Sequence, residues 1–67
     1  MEEVSFPMQS LTEAYKAKQL LTQNRIVCRI DRKTDPRTGC GYDVAVMRED
    51  AAEANALLRQ NRLGRRN

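Results

Sequence analysis

At 67 residues the chain has room for one small domain, and chains of this size bury thin cores. Its 12 Lys and Arg and 9 Asp and Glu leave a net charge of +3, with acids interleaved among bases and only one Phe, two Tyr and no Trp. That disfavours nucleic acid as the main partner, which calls for a basic stripe with aromatics to stack on. With no His and only two Cys, a zinc site, a Ser-His-Asp set and a disulfide framework are all disfavoured, and no metal or other cofactor is expected.

Residues 3 to 8, "EVSFPM", alternate: Val4, Phe6 and Met8 share one face of a short strand and Glu3, Ser5 and Pro7 the other. Pro7 has no N–H, which places the strand at a sheet edge. In "SLTEAYKAKQLLTQN", Ser10 and Glu13 form a capping-box pattern, with the Glu13 side chain reaching back to the Ser10 N–H. The helix that follows lines Leu11, Ala14, Ala17 or Lys18, and Leu21 along one side, with Tyr15 and Leu20 flanking and Asn24 as its left-handed stop.

"RIVCRI" reads as a half-buried strand with Ile26, Cys28 and Ile30 on one face and Val27 and Arg29 on the other. "DRKTDPRTG" reads as a polar connection, so the hairpin tip is expected to span roughly eight to ten residues. "CGYDVAVM" resumes the alternation, with Cys40, Tyr42, Val44 and Val46 on one face and Gly41, Asp43, Ala45 and Met47 on the other. "REDAAEANALLRQNRLG" is the second helix, with a stripe of Ala51, Ala54, Leu57 and Leu58, an acidic first turn at Glu49 and Asp50, and Gly64 as its C′ residue. No internal repeat or low-complexity segment is read.

The order β-α-β-β-α predicts an α+β domain over residues 1–64: a three-stranded antiparallel sheet, its third strand between the first two, with both helices on one face. This is a ferredoxin-like unit truncated before its fourth strand, with one sheet edge open to a partner. Residues 65–67 form a basic C-terminal tail.

Cys40 is the leading chemical candidate. Gly39 and Gly41 leave its thiol accessible at a loop–strand junction, and Arg32, Lys33 and Arg37 in the preceding connection favour thiolate over thiol. Such a thiolate can take a sulfur or selenium atom from a donor and surrender it to another thiolate. The plainer alternative makes Gly-Cys-Gly a tight entry to a strand and Cys40 a small buried hydrophobe. Cys28 reads as a structural thiol, with the rarer role of a second thiol resolving a bond on Cys40. Asp31, Asp35 and Asp43 read as turn formers and partners of nearby cations rather than a cation site.

The run "LLTQNRIVCRIDRKTDPRTGCGYDVAVMREDAAEANALL" resembles the small bacterial selenium/sulfur carrier protein-like family. The similarity covers roughly residues 8 to 63 and rests on the Asn24-Arg25-Ile26 junction, Pro36-Arg37, Cys40-Gly41, "YDVAV" and Glu49-Asp50. The chain departs from the family's Pro-rich lead-in, carrying the charged "DRKTD" instead. The resemblance implies a carrier rather than an enzyme, with Cys40 bearing the atom and a sulfur- or selenium-transfer protein as partner. The acidic start "MEEVSF" and the lack of a long apolar run give a cytoplasmic expectation, without signal peptide or membrane span. Two readings of other classes stay open. One is a protein-interaction or regulatory module, such as a homodimer, docking through its sheet edge or the face of Val27, Arg29, Ala45 and Met47. The other is weak nucleic-acid binding through Arg25, Arg29, Arg62, Arg65 and Arg66.

Overall fold

The computed structural model describes residues 2–35 and 39–64, with the backbone alone at Asp35, Gly39 and Cys40. The elements are β1 (Glu3–Met8), α1 (Leu11–Gln23), β2 (Cys28–Asp35), β3 (Gly39–Met47), a single 3-10 turn (Arg48–Asp50) and α2 (Ala51–Gln60). The sheet order is β1-β3-β2, antiparallel throughout, so the last strand is the central one. This is the arrangement that the split β-α-β order predicts.

The strand alternation sorts the two faces. Met8, Val44 and Val46 are buried on the helix face together with Ala14, Ala17 and Leu21 of α1, Ile26, and Ala54 and Leu58 of α2. Phe6, Cys28, Ile30 and Tyr42 fill in around them, half-buried. Alanines at the helix positions let both helices approach the sheet closely. The buried stripe of α1 is narrower than predicted, because Leu11 and Tyr15 turn outward, Tyr15 with 58% of its surface exposed.

One backbone bond fixes the direction of every ladder. The Arg48 N–H donates to the Glu2 carbonyl at 3.1 Å, one step beyond the Glu3–Met47 pair. Facing residues that exchange bonds alternate with facing residues that do not. The even-numbered residues of β1 and β3 therefore bond each other, while Glu3, Ser5 and Pro7 turn their backbone groups to the open edge. Pro7 thus lacks a donor that the sheet does not use. By the same parity, the odd residues of β3 bond β2, and Cys28, Ile30, Arg32 and Thr34 face the opposite open edge.

The helix ends depart from the sequence reading in three ways. The Glu13 N–H donates to Ser10 Oγ at 3.1 Å as expected, but the Glu13 carboxylate accepts from the Gln9 N–H at 2.8 Å, one residue before the predicted donor. The left-handed residue that ends α1 is Arg25, φ 63°, not Asn24, and the one that ends α2 is Arg62, φ 56°, with Gly64 also at positive φ, 107°, two residues further on. Finally, a short repeat does exist: Leu20–Ile26 and Leu57–Leu63 differ only at Thr22/Arg59 and Ile26/Leu63.

Both copies of that repeat build the same Schellman cap. Ile26 and Leu63 donate to the carbonyls of Leu21 and Leu58 at 2.9 Å, and Arg25 and Arg62 donate to Thr22 and Arg59 at 3.0 and 3.1 Å. The Asn24 and Asn61 side-chain amides donate back to Leu20 and Leu57 at 2.8 and 2.9 Å. Ile26 and Leu63 then fold their side chains against the core. A non-glycine residue in the left-handed region costs roughly 1–2 kcal/mol, part of which glycine gives back as unfolded-chain entropy. Arg25→Gly and Arg62→Gly should each raise stability by about 0.5–1 kcal/mol, additively because the caps sit at opposite ends of the helix layer. Urea midpoints of the single and double variants check this.

Candidate functional site

The hairpin runs past the three-stranded sheet. The last β1 pair is Met8 with Tyr42, whereas β2 and β3 continue through Lys33–Gly41, Thr34–Cys40 and Asp35–Gly39. The predicted long polar tip is corrected by this: both strands extend into it, and only residues 36–38 lie between Asp35 and Gly39. Charged residues at every second position look like loop to a periodicity argument. They suit an exposed two-stranded ribbon equally well.

Cys40 is the second residue of β3, in the ribbon, with Thr34 opposite. It directs its backbone N–H and C=O toward the β1 side of the ladder, past the last β1 residue. Gly39 and Gly41 flank it, paired with Asp35 and Lys33. Arg37 and the Cys40 side chain lie outside the described residues.

Lys33 is brought to the helix-free face, where its Nζ lies 2.6 Å from Asp43 Oδ2. The carboxylate raises the Lys33 pKa above the ordinary lysine value, first through the hydrogen bond and then through charge, with Asp31 adding a smaller effect. A raised lysine pKa means that the pair's contribution is intact at neutral pH and fades only as pH climbs through that raised value. Asp43 is just 5% exposed although no helix covers it. Pro7 and Asp31 flank it on the neighbouring strands, and Lys33 answers the like-charge opposition of Asp31 and Asp43 across the ladder.

Arg29 closes the rest of this face. From β2 it reaches Glu3 on β1 at 2.7 Å and Asp31 on its own strand at 3.0 and 3.1 Å. To do so it must cross β3, and Ala45, its neighbour across the ladder, is left 2% exposed beneath it. The helix-free face is therefore a polar, internally neutralised surface and not an apolar platform around Ala45. Val27, 77% exposed, stands just outside β2. The sequence signal for this strap is a small residue on the central strand with opposite charges on its neighbours, visible only once the register is known. Among the described residues no group of three Asp, Glu, Cys or His converges to hold a metal ion.

Cys28 behaves as a structural thiol. It opens β2 half-buried against the core, with Sγ 3.9 Å from the Lys18 carbonyl. Burial raises its pKa, opposed more weakly by the Lys18 charge and a hydrogen bond with Thr22, so it stays protonated at neutral pH. The register separates it from Cys40 by the length of β2 from Cys28 to Thr34, roughly 20 Å at the usual strand rise and beyond the reach of a disulfide. An open hollow of about 450 Å³ lined by Glu2, Met47, Arg48 and Glu49 lies at the other end of the sheet, with Arg48 tied to Glu2 at 2.6 Å. No described helix is long and apolar enough to cross a membrane.

No family model, curated protein or solved structure matches the chain.

Proposed function

We propose that the chain is a sulfur or selenium carrier, with Cys40 holding the transferred atom. The observation that carries this is the position of Cys40 in a two-stranded ribbon beyond the end of β1, between two glycines. A partner's reactive sulfur can approach such a position without entering a pocket, as a relay between two proteins requires.

The step is a thiolate–persulfide exchange. The Cys40 thiolate attacks the outer sulfur of a donor protein's persulfide, R–S–SH. The new S–S bond forms as the donor's own S–S bond breaks, and its electron pair leaves with the donor sulfur as R–S⁻. Cys40 keeps the outer sulfur and its proton as Cys–S–SH, and an acceptor thiolate removes them by the same exchange. Selenium transfer follows the same balance with a donor of the form R–S–SeH. Gly39 and Gly41 give access. Arg37, three residues before Cys40 in the chain, is the cation this reading assigns to the thiolate; Lys33 is engaged by Asp43 on the helix-free face and so contributes less than its sequence position suggests.

Reduced protein incubated with a low-molecular-weight persulfide should gain one sulfur by intact mass. Wild type and Cys28→Ser should carry the adduct and Cys40→Ser should not. An adduct that survives Cys40→Ser, or none on wild type, removes the carrier reading and leaves Cys40 as a strand residue.

A further inference from the structure

We infer that the outer edge of β1 is a self-association surface, on which a second copy of this chain adds its own β1 antiparallel. Three observations converge on this edge, and none depends on the chemistry at Cys40.

The first is an internal repeat. Ala14, Ala17, Leu20 and Leu21 of α1 recur at one spacing as Ala51, Ala54, Leu57 and Leu58 of α2, and the capped ends that follow recur with them. In order of elements the chain is thus a strand-helix-cap unit used twice, β1 with α1 and β3 with α2. The first cap leads directly into β2, which pairs antiparallel with β3, the strand that opens the second unit. The same step after the second cap calls for a strand antiparallel to β1, the strand that opens the first unit. That is the fourth strand of a complete ferredoxin-like pair of units. Among the described residues no strand lies there, and β1 ends the sheet. The second cap nevertheless delivers the chain to this edge: a Cβ on Gly64 would lie 3.6 Å from the Pro7 carbonyl.

The second is what the edge offers. Glu3 and Ser5 turn both N–H and C=O outward, whereas Pro7 has only a carbonyl to give. Val4, between them, is half-buried on the helix face and stands outside the core cluster. Glu2 and Glu3 are held by Arg48 and Arg29, so this stretch carries no uncompensated charge of the kind that keeps sheet edges apart.

The third is self-complementarity. With Val4 on a two-fold axis, Glu3 of each copy faces Ser5 of the other, and each facing pair can exchange two backbone bonds. Val4 then packs against Val4 of the second copy. The neighbouring registers are worse. Ser5 on the axis sets Glu3 against Pro7, which has no donor to return. Glu3 on the axis sets two carboxylates face to face. One register is therefore selected, and it joins two sheets in the order β2-β3-β1-β1-β3-β2. Because the two β1 strands run in opposite directions, the ribbons that carry Cys40 leave this sheet at opposite ends, one from each copy.

Sedimentation equilibrium over a concentration series tests this. Wild type should dimerise. Val4→Glu and Val4→Lys each place like charges on the axis and should weaken association at least about tenfold. Both should keep the wild-type circular dichroism, because Val4 lies outside the core cluster. Mixed in equal amounts, the two variants should recover a dimer holding one copy of each. Should either fail to fold, Ser5→Pro replaces it: it deletes an outward N–H that β3 does not use and should dissociate the dimer, whereas Thr34→Pro on the outer edge of β2 should leave it intact. A wild type that stays monomeric throughout the series overturns the inference, as does a dimer that folded Val4→Glu or Val4→Lys leaves unweakened. Dissociation by Thr34→Pro but not by Ser5→Pro overturns it too, and places the contact on β2.

Discussion

Leu21→Ala should leave the chain largely unfolded at physiological temperature. Leu21 has no exposed surface and sits where α1 meets the sheet, within the cluster that includes Val44, Val46 and Leu58. Its carbonyl also closes the cap, accepting from Asn24 and Ile26. Truncating a buried leucine costs about 2–5 kcal/mol, whereas the core of so small a domain rarely supplies more than about 3–5 kcal/mol. Leu20→Ala, one residue earlier and half-buried, should cost far less, under about 1.5 kcal/mol. Urea unfolding followed by circular dichroism separates the two. A Leu21→Ala midpoint close to that of Leu20→Ala would mean that the packing described here does not hold the fold together.

The parts of the fold visible in the sequence are those set by local period and local chemistry. Alternation in Glu3–Met8 and Cys40–Met47 marked two strands, Pro7 marked an edge, and Ser10 with Glu13 marked the start of α1. β2 is only partly visible in this way. The alternating charges of Arg29, Asp31, Lys33 and Asp35 carry no hydrophobic period, so half of an exposed strand read as connection. The caps are hidden in the sequence for a different reason. The residue expected at a left-handed position is Gly or Asn, and here Arg holds it twice while Asn sits one step earlier. Nothing local announces that Arg29 crosses β3 to Glu3 and buries Ala45, because that contact joins residues far apart in the chain and exists only in the register. At the candidate site, the glycines around Cys40 and the basic residues before it were legible as chemistry. Their placement in a ribbon that outruns β1 was not, since it depends on where the shorter strand stops.

The second large effect concerns the two thiols. Cys28 is half-buried and its pKa is raised by that burial, so little of it is thiolate near neutral pH. The carrier reading requires the opposite of Cys40: a sulfur that solvent and a partner can reach, supported by nearby positive charge. The difference should appear as a rate, because alkylation proceeds through the thiolate and one unit of pKa is a factor of ten in thiolate at low occupancy. Denaturation should erase it by giving both cysteines the same surroundings.

The measurement that bears most directly on the central claim is therefore the alkylation rate of each cysteine in the native chain near neutral pH, read by mass spectrometry of its peptides. Cys40 should react at least about tenfold faster than Cys28, with the two rates converging in denaturant. A Cys40 as slow as Cys28 in the native chain would contradict the account.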